Sequence, residues 1–218
     1  MYNMNIYPTI LTDSLKLAQH QINLVAGEVS VIQLDIMDGE FVDNITCTPV
    51  DAQTLDWKGL SIDVHLQTVD PINDVVECQE LRGMRTVIAQ VERMSSQAAF
   101  IEHVKSFGWR VGLSLDLYTP LVAVDTESWK NIDVLQIMTI HAGFQGEKFE
   151  ESALEKIQHA KQKKIAESLS FEISVDGGIR PETALLCKKA GAESLAVGSF
   201  LWKAQDIYEA LHQLTVLS

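Results

Sequence analysis

The sequence predicts a single (β/α)8 barrel that spans residues 1–218. Short apolar runs rich in Val, Ile and Leu alternate with longer segments of helical periodicity, which is typical of βα units around a parallel sheet. Eight such units follow one another, and no Pro/Gly/Ser-rich linker or low-complexity tract divides them. A chain of 218 residues with 46% hydrophobic residues can bury one sizeable core. Eight consecutive units favour one closed barrel over an open sheet.

The eight predicted strands are four to seven residues long, as buried parallel strands usually are. In chain order they are Ile6–Leu11, Val31–Met37, Ser61–Leu66, Thr86–Gln90, Arg110–Leu115, Val134–Met138, Phe171–Val175 and Ser194–Val197. The segments between them are predicted to be helices with recognisable ends. Pro181 suits the first turn of the seventh helix, and Asp206 with Glu209 forms the pattern of a capping box at the start of the eighth.

Composition and charge exclude several classes of function. The formal net charge is −13 and the sequence pI is about 4.8, and the basic residues form no stripe that could follow a nucleic-acid backbone. The first residues lack the regions of a signal peptide, and no apolar run approaches the roughly 18 residues of a membrane span. We therefore expect a cytoplasmic protein that binds neither nucleic acid nor membrane. The three cysteines are expected to be packing residues, and the sequence leaves open whether the chain forms a homo-oligomer.

Polar residues near the ends of the second and third predicted strands are candidates for chemistry. In a (β/α)8 barrel the active site lies at the C-terminal ends of the strands. Alternation along the second strand places Gln33, Asp35 and Met37 on one face. A buried carboxylate is costly without a partner, so Asp35 requires a metal, a proton or a ligand. His65 in the third strand is a second candidate, although a strand histidine is often a hydrogen-bonded core residue.

Glycine-rich turns after the last three predicted strands are candidates for binding a phosphate. The seventh strand runs through Asp176 into a glycine pair just before the helix that begins near Pro181, where backbone N–H groups can approach an anion. Phosphate sites in barrels typically use the loops after strands seven and eight. Ordinary turns are the alternative interpretation of the same glycines. The candidate residues are Gly177 and Gly178, Gly198 and Ser199, and Gly143, Phe144 and Gly146.

Five motifs follow one another along essentially the whole chain. They are Pro8-Thr9-Ile10-Leu11, Asp35-Ile36-Met37-Asp38-Gly39 with Phe41-Val42 and Asn44, Asp63-Val64-His65-Leu66, Met138-Thr139 with Gly143-Phe144, and Val175-Asp176-Gly177-Gly178-Ile179. In this order they resemble the ribulose-phosphate 3-epimerase family. The family epimerises a ketose phosphate at C3 through an enediolate, with two aspartates on opposite faces of the substrate. The resemblance therefore implies that Asp35 and Asp176 are the catalytic pair.

The resemblance also implies a metal site and a substrate pocket. A divalent ion (Zn, Mn or Fe) would be held by Asp35, His65 and Asp176. Met37 and Met138 would line the enediolate, and Thr9 would supply the hydroxyl that a serine supplies in the family. His65 would also lie against the substrate, which is expected to be a small phosphorylated sugar.

The chain departs from the family pattern at several positions. Gln33 replaces the first metal-binding histidine, and its amide oxygen could coordinate an ion only more weakly than an imidazole. We therefore expect lowered metal affinity. Gln67 replaces a third methionine beside the reacting carbons, and Gln90 replaces a histidine of the fourth strand. Glu147 replaces a neutral glutamine near the phosphate end, and we expect it to point into solvent.

Several functions remain compatible with this sequence. The first is epimerisation of D-ribulose 5-phosphate to D-xylulose 5-phosphate, and a hexulose-6-phosphate 3-epimerase is a close alternative. A related decarboxylase or aldolase would need a lysine beside the aspartates, and none of the predicted strand ends supplies one. A noncatalytic sugar-phosphate-binding barrel that has lost its metal is also compatible, because of Gln33 and Gln67.

Overall fold

The computed structural model describes residues 4–143 and 146–217, with the side chain of the last of these excepted. Eight parallel strands form a closed barrel in sequence order, and the first strand pairs with the eighth. The predicted fold is confirmed. The strands are β1 (Asn5–Ile10), β2 (Val31–Met37), β3 (Ser61–Gln67), β4 (Met84–Gln90), β5 (Arg110–Leu115), β6 (Val134–Met138), β7 (Glu172–Asp176) and β8 (Ser194–Val197).

The predicted strand bounds are close to the observed ones, and two differences matter. β3 runs one residue further than predicted, to Gln67, because it pairs with β2 along its whole length, with Met37 opposite Gln67. β4 begins two residues early, at Met84, where a register shift between β3 and β4 lets Met84 pair with Ile62. The longer β3 carries one more polar side chain to the C-terminal end of the barrel.

Helices cover the outside of the barrel. They are α1 (Leu15–Val25), α2 (Pro49–Ala52), α3 (Ile72–Glu77), α4 (Gln97–Ser106), α5 (Ala153–Ala166), α6 (Pro181–Ala190), α7 (Ser199–Trp202) and α8 (Ile207–Leu217). Pro181 occupies the first turn of α6 as predicted. The Asp206 carboxylate accepts hydrogen bonds from the backbone N–H groups of Tyr208 (2.9 Å) and Glu209 (3.1 Å), so the Asp206 half of the predicted capping box is formed at α8.

The expectation of a helix in the fifth unit is wrong. Between β5 and β6 the chain forms two short 3₁₀ turns, Leu121–Ala123 and Ser128–Lys130. Pro120 directly precedes the first turn, and the Gln97 side chain accepts from the backbone N–H of Asp125 (2.9 Å). Because the Gln97 side chain also donates to the carbonyl of Ala123 (2.7 Å) and proline restricts the start of the segment, its backbone groups are satisfied without a regular helix.

A buried ionic network closes the N-terminal end of the barrel. Arg85 donates to the Asp63 carboxylate through two nitrogens, one at 2.8 Å from its oxygen, and the Arg85 guanidinium lies 4.8 Å from the centre of the Tyr7 ring. Tyr7 donates to Glu172 (3.1 Å), which also accepts from Arg110 (2.9 Å). Asp63 is therefore engaged at the end of the barrel opposite the candidate site, although it lies in the same motif as His65.

The remaining general expectations concern cysteines and membrane spans. Cys47, Cys78 and Cys187 are free and buried, as expected of packing residues. Among the described residues, no helix combines the length and apolar character that crossing a bilayer requires.

Candidate active site

A cavity opens at the C-terminal end of the barrel and collects most of the residues singled out by the sequence. It is lined by Thr9, Leu11, Asp35, Met37, Gln67, Met138, Ile140, Gly143, Gly146, Asp176, Gly177, Gly178, Ile179, Ala196, Gly198 and Ser199. His65 lies beneath this lining and is fully buried. Phe144 lies outside the residues that the structure describes. Glu147 is exposed to solvent, as expected, since its negative charge would oppose a bound phosphate if it faced the cavity.

Asp35, His65 and Asp176 converge below the cavity. His65 Nδ1 lies 3.3 Å from Asp35 Oδ1 and 3.7 Å from Asp176 Oδ2. Asp35 and His65 are paired across β2 and β3. Asp176 comes from the end of β7, which is three strands away from β2 around the ring. One ligand atom from each residue lies within 4.8 Å of the other two. This donor set, two carboxylate oxygens and an imidazole nitrogen, fits one divalent ion.

Gln33 joins the two aspartates as a hydrogen-bond donor. Its amide nitrogen lies 2.9 Å from Asp35 Oδ1 and 2.8 Å from Asp176 Oδ2. Two carboxylates select the donating end of an amide, because an amide oxygen in the same place would be repelled by both. In this arrangement Gln33 is not a metal ligand. An ion held by the two carboxylates would have to displace the amide N–H groups, or turn the amide over to expose its oxygen.

Gln136 is a buried residue of this site that sequence reasoning missed. Its amide nitrogen lies 3.0 Å from His65 Nδ1 and 3.3 Å from Asp176 Oδ2. The signal was present in the sequence, because alternation along the sixth strand places Gln136 on the same inward face as Met138. An inward-facing amide two residues before a lining methionine could have been named as a candidate.

The hydrogen bonds around His65 indicate where a neutral ring carries its proton. Nδ1 lies 3.0 Å from the Gln136 amide nitrogen and 3.3 Å from Asp35 Oδ1, and it accepts from Gln136 in the tautomer that carries its proton on Nε2. The Gln90 amide lies 3.3 Å from Nε2, and its oxygen faces the ring when its nitrogen donates to Glu92 (3.0 Å) and to the Ser114 carbonyl (3.2 Å). Nδ1 thus faces the two carboxylates, and in that tautomer its lone pair is available to an ion held between them.

The surroundings of Asp176 favour its protonated form. Burial first, and the neighbouring Asp35 carboxylate second, raise the pKa of Asp176 to about 7, against the opposing effects of His65 and Gln33. A carboxyl group whose pKa is raised into this range and that faces a cavity is suited to exchange a proton with a ligand.

The glycine pair after β7 is required by the backbone. Gly177 and Gly178 have φ angles of +113° and +61°. A Cβ on Gly177 would lie 2.6 Å from the Ile140 side chain, and a Cβ on Gly178 would lie 2.7 Å from the backbone nitrogen of Phe149. Only glycine allows the backbone to approach these neighbours so closely. Without side chains at these two positions, the end of β7 stays open to a ligand just before α6.

Side chains from neighbouring elements hold the loops after β5 and β6. The Asn44 amide donates to the Gly143 carbonyl (2.7 Å), and the Asp116 carboxylate accepts from the Ala142 backbone N–H (3.0 Å). Lys156 of α5 donates to the carbonyl of Asp116 (2.6 Å) and to that of the next residue (2.8 Å). Burial lowers the pKa of Lys156 to about 8. The rim of the cavity is therefore tied to the helical layer.

Comparison with solved structures agrees with the fold. The structure described as KGPDC from Streptococcus mutans superposes with a TM-score of 0.69 at 17% identity, and covers 98% of this chain and 96% of that one. A 3-hexulose-6-phosphate synthase from Salmonella typhimurium gives a TM-score of 0.68 at 13% identity, with 98% of both chains covered. At these identities the likeness is one of fold alone.

Comparison with sequences is more specific. The model of the ribulose-phosphate 3 epimerase family matches residues 5–202. The chloroplastic ribulose-5-phosphate-3-epimerase of Arabidopsis thaliana is 32% identical over 211 residues, which cover 94% of this chain and 74% of the relative. The ribulose-phosphate 3-epimerase of Bacillus subtilis is 30% identical over 216 residues, which cover 97% and 98%. The chain therefore belongs to the ribulose-phosphate 3-epimerase family.

Proposed function

We propose that this protein epimerises D-ribulose 5-phosphate to D-xylulose 5-phosphate. The observation that carries the proposal is the pair of carboxylates, Asp35 and Asp176, which line one cavity from strands on different sides of the barrel. Inversion at one carbon needs a base on one face and an acid on the other. The family membership and the names of the relatives favour this reaction over others on the same fold.

In the proposed reaction one aspartate removes the C3 proton of the ketose and the other returns a proton to the opposite face. Gln33 holds both carboxylates with its amide N–H groups, and Gln136 holds Asp176 against His65. Met37 and Met138, both nearly fully buried, exclude water from the reacting carbons.

Asp35, His65 and Asp176 would hold the divalent ion, for which we propose Zn, Mn or Fe. When bound, the ion supplies positive charge next to the oxygens that become negative in the enediolate. Gln33 offers a donor where a fourth ligand is expected, so we propose that the affinity for this ion is low.

The phosphate of the substrate is proposed to bind on the side of the cavity that is formed by the loops after β6, β7 and β8. Gly177 and Gly178 leave the strand end uncovered, and Gly198 and Ser199 line the same cavity at the start of α7. Backbone N–H groups suit this role in a chain with a net charge of −13, because they bind an anion without a cationic side chain.

One observation favours a second candidate, a noncatalytic sugar-phosphate binder. The amide of Gln33 already satisfies both carboxylates, which is what a site without an ion requires. A decarboxylase or aldolase is not favoured, since no lysine is among the described residues that line the cavity.

The test is an assay of D-ribulose 5-phosphate turnover with and without added Mn²⁺, Zn²⁺ or Fe²⁺, combined with calorimetric titration of the sugar phosphate. The epimerase proposal expects turnover that rises with added metal and is lost in Asp176→Asn. Binding without turnover in any buffer would support the noncatalytic candidate. If the protein neither binds the sugar phosphate nor turns it over, both candidate functions are contradicted.

A further inference from the structure

Gln67 carries an unused hydrogen-bond acceptor in the cavity. It lies at the end of β3, lines the cavity and is 2% exposed. Its amide oxygen is buried and has no hydrogen-bond partner among the described residues. Most buried polar atoms in proteins are satisfied, so an unpartnered acceptor in a ligand cavity calls for a donor from outside the chain.

The contact of the Gln67 nitrogen indicates which way the amide faces. The Gln67 nitrogen lies 3.4 Å from His65 Nδ1, the same atom that the Gln136 nitrogen approaches at 3.0 Å. The nitrogen of Gln67 therefore faces the ring, and its oxygen is on the other branch of the amide. With the ring proton on Nε2, turning the amide over would place its oxygen against the unprotonated Nδ1, which is unfavourable.

The barrel places Gln67 across from the proposed phosphate loops. In an eight-stranded ring β3 lies opposite β7, and the glycine loops follow β6, β7 and β8. A ketose phosphate that spans the cavity would bring the end remote from its phosphate to Gln67. At that end the ketone oxygen at C2 has no proton to donate, whereas the C1 hydroxyl does.

We propose that Gln67 accepts a hydrogen bond from the C1 hydroxyl of the ketose phosphate and thereby selects ligands that carry this hydroxyl. This inference rests on the proposed function. A site built to pair with a hydroxyl rejects the analogue that lacks it, because the buried acceptor is then left unpaired.

The test is a binding cycle with two ligands and two proteins. D-xylulose 5-phosphate and 1-deoxy-D-xylulose 5-phosphate, which has a methyl group in place of the C1 hydroxymethyl group, are titrated into the wild type and into Gln67→Met in Mn²⁺-supplemented buffer. The wild type is expected to bind the hydroxylated ligand about 3- to 10-fold more tightly, the effect of one hydrogen bond. In Gln67→Met this ratio should fall to about 1, because methionine has similar length but no comparable acceptor.

Met37→Leu is the matched control, because Met37 is paired with Gln67 across β2 and β3 and lines the same cavity. It should change the dissociation constants of both ligands by the same factor. Equal binding of the two ligands by the wild type would overturn the inference whether or not Gln67→Met folds. The same ratio in wild type and Gln67→Met would also overturn it while leaving the proposed function intact. If neither ligand binds the wild type, the proposed function fails as well.

Discussion

Replacing Gln33 with histidine should convert a weak metal site into a tight one. In the wild type the Gln33 amide donates to Asp35 and Asp176 at 2.9 and 2.8 Å, so an ion that binds both carboxylates must first break two hydrogen bonds to charged groups. Each such bond contributes at least about 1.5 kcal/mol. If both hydrogen bonds are absent, the binding of the ion should strengthen by about 3 kcal/mol, or roughly 100-fold in Kd. Any contribution of the new imidazole ligand adds to this.

The measurement is competition for Zn²⁺ or Mn²⁺ against a chromophoric chelator, together with the metal content of the purified protein by mass spectrometry. Gln33→Leu is the matched control, because it removes the same two hydrogen bonds without adding a ligand. We expect the order Gln33→His, Gln33→Leu, wild type from the tightest to the weakest. A Gln33→His protein that binds the ion no more tightly than the wild type would refute the assignment of Asp35, His65 and Asp176 as one metal site.

Three further predictions concern the glycine loop, the N-terminal end of the barrel and the rim of the cavity. Gly178→Ala should lower the affinity for inorganic phosphate at least about tenfold and destabilise the fold by about 1–3 kcal/mol, since its Cβ would lie 2.7 Å from a backbone nitrogen at a φ of +61°. Arg85→Ala should cost about 3–5 kcal/mol in urea unfolding, because Asp63, 3% exposed, would keep an uncompensated buried charge. The pKa of Lys156 is about 8 when folded and 10.5 in the unfolded chain, so the unfolded state binds more protons between these values. The unfolding free energy of the wild type should therefore rise relative to Lys156→Met from about pH 8 to pH 10.5.

Control variants separate each of these effects from a general loss of stability. Gly59→Ala has a similar φ of +78° but nothing within 4 Å of its Cβ, so it should keep phosphate binding, and equal losses in both variants would contradict the clash. Lys163→Ala removes a pair with Glu167 and a cation–π contact with Trp129, both open to solvent on one side, and should cost no more than about 1.5 kcal/mol. A similar small cost for Arg85→Ala would contradict the buried network. A pH-independent difference between wild type and Lys156→Met would contradict the lowered pKa.

The fold was predictable because local patterns carry it. A buried parallel strand has to be a short apolar run, so strands such as Val31–Met37 and Arg110–Leu115 are found with the predicted bounds. The fifth connection was not predictable in the same way. Its backbone is bonded by a side chain 28 residues away, Gln97, and such a contact leaves no periodic signal in the segment itself.

The positions of the candidate site residues followed from the strand ends, but their contacts did not. Alternation places Gln33 on the inward face, yet which end of its amide faces Asp176, 143 residues further on, depends on how β2 and β7 converge in the closed barrel. Gln136 escaped notice for a similar reason. An inward-facing glutamine has meaning only when its neighbours across the barrel are known, and these are His65 and Asp176.

Proton exchange at C3 of the substrate distinguishes acid–base catalysis by the two aspartates from binding without chemistry. D-ribulose 5-phosphate is incubated with the protein in D₂O buffer that contains Zn²⁺, and the sugar is followed by ¹H NMR. The account predicts that D-xylulose 5-phosphate forms with deuterium at C3, because the proton returned to the carbon comes from an aspartate that exchanges with solvent. It also predicts that Asp176→Asn, with an unchanged melting temperature, gives neither product nor exchange. If the wild type binds the sugar phosphate but its C3 proton stays in place in metal-supplemented buffer, the two-aspartate account is wrong.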